Sequence, residues 1–247
     1  MKALVTGAAS GIGRALVGQL AGEGCQVIAI DRDPLPESLA ATGIRADLSD
    51  RHAVDQLIGT LVHAGPYDMV VHNAGISATG RFEDIPEAAF ENILAVNCEA
   101  PMVITSALLQ AGALQSGTTL IFMASISRHT GYPGAAVYAA SKDVLAVYAK
   151  SIRKDLRRRG VHVMTVFPGP VRTHHAERHA PAGADASRRM EPAVIADLIL
   201  RAARRRRTVL YPGLQAKTGR LLGVLAPRWT TRFMHRAIFR KLDRTVY

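Results

Sequence analysis

Tyr138 and Lys142 stand four residues apart in the stretch Val137-Tyr-Ala-Ala-Ser-Lys142, and Ser125 lies thirteen residues before the tyrosine. On a helix that spacing sets the phenol and the ammonium one above the other on the same face. A phenol with a reference pKa of about 10 exchanges protons poorly at neutral pH, and a fixed neighbouring cation favours the phenolate and lowers that value. A serine hydroxyl delivered from a preceding strand can hold a carbonyl or alkoxide oxygen beside the phenol. The trio therefore predicts proton transfer to or from a substrate oxygen.

The elements that would position such chemistry begin at the N-terminus. Lys2–Thr6 reads as a short buried strand, and Gly7-Ala-Ala-Ser10-Gly11-Ile12-Gly13 follows at once. A helical pattern then runs through Leu16, Val17 and Leu20 to Gly22 and Gly24. Strand, glycine turn and helix in that order form the entry to a dinucleotide-binding βαβ unit. Gly7 permits the tight turn, Gly11 admits a pyrophosphate close to the backbone, and Gly13 allows the helix to pack on the strand. The N–H groups and positive end of the helix then face the phosphates.

A second strand, Gln26–Ile30, ends at Asp31, eighteen residues after Gly13. A carboxylate there accepts hydrogen bonds from both ribose hydroxyls of an adenosine and repels a 2′-phosphate, which favours NAD over NADP. Arg32 argues the other way, because a guanidinium in the next position can bind a 2′-phosphate. Ser10 is not basic and offers no such route.

With these motifs the chain resembles the classical short-chain dehydrogenase/reductase family over about residues 1–175. The Thr6–Gly13 turn is similar to the family's cofactor motif, Asp47-Leu48 to its adenine-contacting pair, and Asn73-Ala74-Gly75 to its Asn-Ala-Gly motif. Asn97 matches the family's structural and catalytic asparagine, and Ser125, Tyr138 and Lys142 match its active site. Pro168-Gly169-Pro-Val171-Arg-Thr173 resembles its nicotinamide loop. His72 departs from the pattern, standing where the family usually has Asn.

The resemblance implies an NAD(P)(H)-dependent oxidoreductase that interconverts a secondary alcohol and a ketone. Tyr138 would act as general acid and base, and Ser125 would hold the oxygen. Lys142 would lower the tyrosine pKa and bind the nicotinamide ribose, and Asn97 would hold a water leading to Lys142. Val171 and Thr173 would bind the carboxamide. No metal is needed. The alternatives are an NADPH-linked 3-ketoacyl-type ketoreductase and, in another class, a non-catalytic cofactor-sensing protein. The complete Ser125–Tyr138–Lys142 set argues against the sensor. Of the two serines available, Ser125 has the family's spacing and ends an alternating strand from Thr119, whereas Ser127 reads as a loop residue.

The remaining chain alternates strands with helices, as a parallel sheet requires. Strands are expected at Gly43–Ala46, Asp68–His72, Val161–Phe167 and Thr208–Leu210, with helices starting near Ser49 or Asp50, running from Glu99 to Leu114, and carrying Tyr138 as far as Gly160. The expected fold is a single-domain α/β Rossmann fold. It is a doubly wound parallel sheet of about seven strands, ordered 3-2-1-4-5-6-7 by analogy, with helices on both faces. Residues 1–212 would form the catalytic domain, with a substrate lid at 172–190, and residues 213–247 a basic amphipathic C-terminal extension. His174, His175 and His179 in the lid lack cysteine or carboxylate partners at ligand spacing and read as loop histidines.

The chain has 247 residues and a formal net charge of +11. Two cysteines, Cys25 and Cys98, without ligand-like spacing fit small buried residues in a reducing compartment. No signal peptide is visible and no uninterrupted apolar stretch looks long enough to span a bilayer, so a cytoplasmic protein is expected. Charge is unevenly placed. Residues 1–200 carry 18 Lys and Arg against 19 Asp and Glu, and residues 201–247 carry 13 against a single Asp243. After Arg204–Arg207, a helix starting at Pro227 would set Trp229, Phe233, Ala237, Ile238 and Leu242 among Arg228, Arg232, Arg236, Arg240 and Lys241. That pattern fits peripheral binding to a membrane surface. It also fits packing on the domain or a partner subunit, with nucleic acid or another polyanion the least favoured. A lipid-facing tail implies a hydrophobic, lipid-like alcohol or ketone as substrate. The family resemblance implies a homo-dimer or homo-tetramer through the two long helices.

Overall fold

The computed structural model describes residues 1–180, 185–242 and 245–247. The chain opens with β1 (Lys2–Thr6), α1 (Gly11–Gly22), β2 (Gln26–Asp31), β3 (Thr42–Arg45), α2 (Arg51–Ala64) and β4 (Tyr67–His72). It continues through α3 (Glu87–Leu94), α4 (Ala100–Gln110), β5 (Leu114–Met123), α5 (Ser127–Thr130), α6 (Ala136–Arg158) and β6 (His162–Val166). The last part comprises α7 (His174–Arg178), α8 (Pro192–Arg204), β7 (Val209–Leu210), α9 (Gly213–Leu225) and α10 (Pro227–Ala237). The seven strands form one parallel sheet in the order β3-β2-β1-β4-β5-β6-β7.

Both faces of this sheet are covered, so its central strands carry continuous buried apolar runs such as Ala3–Val5, Val27–Ile30 and Leu120–Met123. Alternation along β1 sends Leu4 to one face and Ala3 and Val5 to the other. The first face packs Leu57 and Leu61 of α2, Ile104 and Leu108 of α4, and Leu145 and Ala149 of α6. The second packs Leu16, Val17 and Leu20 of α1 with Ile195, Ile199 and Leu200 of α8. Phe122 and Leu120 on β5 are fully buried, and each such side chain contributes roughly 1.5–3 kcal/mol. Because β2 and β4 lie on opposite sides of β1, the strand order reverses there, and a crevice opens at the carboxyl ends of the strands.

Several boundaries differ from the sequence reading. The helix expected over Glu99–Leu114 stops at Gln110, because Gly112 takes a left-handed φ of 68°. The N–H of Gly112 then bonds the Leu109 carbonyl and that of Ala113 bonds Leu108, which closes the helix end. Upstream the helix has no break at Glu99. A π turn over Ala95–Glu99 joins α3 to α4, giving one helical run from Glu87 to Gln110. By length and composition alone this run is apolar enough to cross a membrane, which corrects the expectation that no such stretch exists. It is half buried in the fold, with Ile93, Ile104 and Leu108 in the core. Asp50, rather than Ser49, caps α2 by accepting from the N–H groups of His52 and Ala53.

The C-terminal segment packs on the domain through one side only. Ala216 of α9 is fully buried, Gly219 faces Ile126 and Thr130, and Gly223 lies directly against the His129 carbonyl. Ile238 and Met234 turn inward, Leu242 lies over Gly134, and Thr79 pairs with Val246 in an antiparallel bridge. The outer side leaves Leu221, Leu222, Leu225, Trp229 and Phe233 exposed.

Candidate active site

Ser125, Tyr138 and Lys142 meet in a cavity of about 750 Å³ at the carboxyl ends of the strands. Ser125 sits two residues past the end of β5, and its Oγ accepts from the Ser127 N–H at 3.2 Å. Ser127 itself begins α5 and is not in an open loop. Tyr138 and Lys142 occupy successive turns of α6, with the Lys142 Nζ 5.9 Å from the centre of the tyrosine ring.

The electrostatics correct one expectation. Burial pushes the Tyr138 phenol up to about 12, and the Ser125 hydrogen bond that favours its phenolate only partly offsets this. Even with the Lys142 ammonium 5.9 Å from its ring centre, the phenol stays above its ordinary value, against the depression that the spacing predicts. The Lys142 Nζ donates to the Met123 carbonyl at 3.0 Å, and burial pulls the lysine itself down to about 8. The tyrosine is therefore an acid that holds its proton at neutral pH.

Gly75 makes room for the lysine, since a Cβ there would lie 2.7 Å from Nζ. Asn97 lies in the π turn and does not line the cavity. Its Oδ1 accepts from the Ile76 N–H, while its Nδ2 donates to the Ile76 carbonyl and the Ser141 hydroxyl. It thus locks the loop after β4 to α6. His72, the departure from the family pattern, is fully enclosed, stacked on Phe122 and hydrogen-bonded to Thr105.

At the other end of the cavity the glycine turn holds an open cradle. Gly7 and Gly11 take φ values of 67° and 53°, which favour glycine. At Gly13 an added Cβ would overlap the Gly7 carbonyl, so this residue sits behind the cavity wall and fixes the helix against the turn. Ser10 makes no side-chain cap on α1, so its hydroxyl does not cover that helix end, which opens on the cavity beside Gly11 and Ile12. Asn73 Nδ2 donates to the carbonyls of both Thr6 and Gly7, tying the end of β4 to the turn beside Ala74.

Asp31 and Arg32 lie in the wall at the end of β2. The Asp31 carboxylate accepts from the N–H groups of Ala9 and Asp33. Asp47 and Leu48 follow. For Asp47, burial opposes the charged form, but two hydrogen bonds from Ser49 outweigh it and hold the carboxyl below its usual range. Across the groove, Pro168, Gly169, Val171 and Thr173 line the wall after β6, and Thr173 caps α7 by accepting from the Ala176 N–H.

Residues 1–182 match the profile of a family described as short chain dehydrogenase. A 1-deoxy-11-beta-hydroxypentalenate dehydrogenase from Streptomyces exfoliatus is 33% identical over 231 residues, covering 87% of this chain and 84% of that protein. The chain belongs to the short-chain dehydrogenase family. Among solved structures, a short-chain dehydrogenase from Sphingobium yanoikuyae in complex with NADPH is similar in fold, with a TM-score of 0.76 and 22% identity over 95% of this chain and 93% of that one. A 4-hydroxyisoleucine dehydrogenase mutant complexed with NADH and succinate has a TM-score of 0.74 and 20% identity over 85% and 96%.

As a short-chain dehydrogenase the chain is an oxidoreductase acting on CH–OH donors with a nicotinamide cofactor, and the cavity fits one. The uncapped helix end and the glycines Gly7 and Gly11 in the turn suit a pyrophosphate, and Asp31 stands at the strand end where a ribose would lie.

The cavity also contains residues that the sequence did not assign to the site. Tyr132 stands edge-on to Tyr138 with ring centres 6.2 Å apart, Arg189 lies nearby, and Met234 and Ile238 come from the C-terminal segment. Nothing in their local spacing marks Tyr132 or Arg189. The lid histidines lie on or beside α7 and not in a plain loop. His175 and His179 lie with their rings tilted 52° to each other and centres 4.7 Å apart, and His179 is buried against the Thr79 hydroxyl. Residues 181–184 of the expected lid lie outside the described residues.

Proposed function

We propose that this dehydrogenase interconverts a secondary alcohol and a ketone on a hydrophobic substrate, with NAD(H) as its cofactor. The observation that carries the reading is the convergence of Ser125, Tyr138 and Lys142 on the same cavity as the glycine turn.

The nicotinamide, when bound, supplies or accepts the hydride. In reduction the Tyr138 phenol gives its proton to the substrate oxygen as negative charge grows there. The Ser125 hydroxyl donates a hydrogen bond to the same oxygen, in the manner of an oxyanion donor. The Lys142 ammonium lies on the tyrosine side of α6 and stabilises the phenolate left behind. In oxidation the same groups run backwards from the Tyr138 phenolate, the minority form at neutral pH, which accepts the alcohol proton. Asn97 acts at one remove by holding Ile76 and Ser141 in place. By resemblance, Lys142 also binds the ribose hydroxyls, and Val171 and Thr173 orient the carboxamide.

Asp31 supports NAD over NADP, because a 2′-phosphate would lie beside its carboxylate, although Arg32 in the same wall favours the phosphate. Fluorescence titration with NADH and NADPH tests this. Tighter NADH binding is expected, and a clear NADPH preference would favour the ketoreductase alternative.

A hydrophobic substrate is supported by Met234 and Ile238 in the cavity wall. The outer side of the same α9–α10 segment carries exposed Leu221, Leu222, Leu225, Trp229 and Phe233 next to Arg228, Arg232 and Arg236. That combination supports peripheral binding to an anionic membrane, where each basic side chain near the surface adds about 1 kcal/mol. Flotation with phosphatidylserine vesicles tests it. Trp229→Ala/Phe233→Ala should stay unbound while retaining activity on a short ketone. Equal flotation of the two proteins would refute it.

Assembly as a homo-oligomer through the long helices is supported by the exposed Leu94, Val144 and Val147 on α3 and α6. Light scattering on the purified chain reads it directly.

A further inference from the structure

Arg189 is a charged residue at the substrate end of the cavity that the proton-transfer chemistry does not use. It lines the cavity, and its Nη1 is buried with no hydrogen-bond partner among the described residues. A guanidinium cannot escape that situation by losing its proton, as a lysine can. A buried cationic N–H without an acceptor is costly, and such groups are few in native structures. The group is near the chemistry, because its positive charge acts on the phenol of Tyr132, which stands edge-on to Tyr138.

The surroundings define what would satisfy it. Among the carboxylates of the cavity wall, Asp31 ends β2, Asp33 follows it and Asp47 follows β3, all at the adenosine end. Asp185 shares the Arg189 end but already accepts from both the N–H and the hydroxyl of Ser187. Arg178 adds a second cation to the wall. The planar fork of an arginine matches the two oxygens of a carboxylate. Met234 and Ile238 offer an apolar wall for the rest of the molecule.

We propose that Arg189 is a substrate-binding residue that recognises a carboxylate, so that the physiological substrate is an acid with an apolar body and its reacting carbonyl or hydroxyl away from the acid group. This deepens the alcohol–ketone reading and rests on it for the position of the reacting oxygen. The carboxylate stays ionised throughout and undergoes no covalent change. Its role is to set which carbon faces Tyr138.

The experiment separates the two claims by measuring binding as well as turnover. Oxodecanoate with its ketone at mid-chain, its methyl ester and the ketone of equal length would be titrated calorimetrically into the enzyme with NADH present. The wild type should bind the acid at least tenfold more tightly than the ester or the ketone. Arg189→Gln should abolish that preference and leave ester binding and NADH affinity unchanged, and Arg189→Lys should keep part of it. Equal binding of acid and ester by the wild type, or a preference that survives Arg189→Gln, would overturn the proposal. So would a loss of NADH affinity in that variant, which would assign Arg189 to the cofactor. Turnover of the ester without acid preference would leave the alcohol–ketone reading standing, and acid-selective binding without turnover would remove that reading while keeping the subsite.

Discussion

Gly75→Ala isolates the position of Lys142 from its presence. The backbone of Gly75 does not adopt the left-handed conformation, so alanine fits the chain there without strain. The new Cβ would lie 2.7 Å from the Lys142 Nζ and 3.3 Å from Asn97 Oδ1. To restore ordinary contact the ammonium must retreat by about 0.7 Å, and it is the freer partner because it ends a flexible side chain. That movement loosens its 3.0 Å bond to the Met123 carbonyl. Misplacing a reacting group on the 1 Å scale costs about 10²-fold, so kcat/KM should fall by roughly 10- to 100-fold. This corresponds to about 1.4–2.8 kcal/mol of lost transition-state stabilisation. Overpacking and the reduced entropy of the unfolded chain oppose each other, so Tm should move by no more than about 4 °C. Steady-state reduction of a ketone, followed by consumption of NADH, reads the first effect and calorimetry the second. An unchanged kcat/KM would refute the importance of the lysine's placement, and a collapse in Tm would show that Gly75 serves the fold and not the chemistry.

Gly59, inside α2, has no atoms within 4 Å of an added Cβ, so Gly59→Ala should raise stability by about 0.5–1 kcal/mol, seen as a higher denaturant midpoint. Lys142 carries its charge below about pH 8 and loses it above, while Tyr138 near 12 keeps its proton throughout. Reduction, which leaves a phenolate needing that charge, should therefore fall as pH rises through about 8, and Lys142→Met should remove that limb of the profile. Gly223→Val would drive a side chain into the His129 carbonyl and push α9 off α5, at a cost of about 1–3 kcal/mol. KM for long-chain ketones should rise while kcat for a small ketone stays nearly unchanged, because Met234 and Ile238 move and Tyr138 does not.

The parts of the fold written in local chemistry were legible in advance. Gly7, Gly11 and Gly13 mark the turn because their backbone angles and close approaches exclude side chains, and the i,i+4 pair on α6 fixes one helix face. Those signals place the cradle and the Tyr138–Lys142 pair. The strand order followed from the alternation of strand and helix together with the family resemblance. What was not legible depends on contacts between distant parts of the chain. The direction of the Tyr138 shift is set by desolvation in a cleft built from several loops, and a four-residue spacing carries no information about that. Arg189 and Tyr132 enter the site from separate segments, so neither has a local partner in sequence. Gly112 was a visible stop signal, and reading it as a helix end would have corrected the α4 boundary. The π turn at Asn97 leaves no comparable mark, because its extra residue is absorbed by tertiary packing.

In the proposed mechanism the Tyr138 phenol delivers a proton to a substrate oxygen beside the bound nicotinamide. Single-turnover hydride transfer in Tyr138→Phe, measured alongside NADH affinity in the same preparation, tests it most directly. A loss of about 10²–10⁴-fold in the transfer rate is expected, with NADH binding unchanged. Hydride transfer at the wild-type rate in that variant would contradict it.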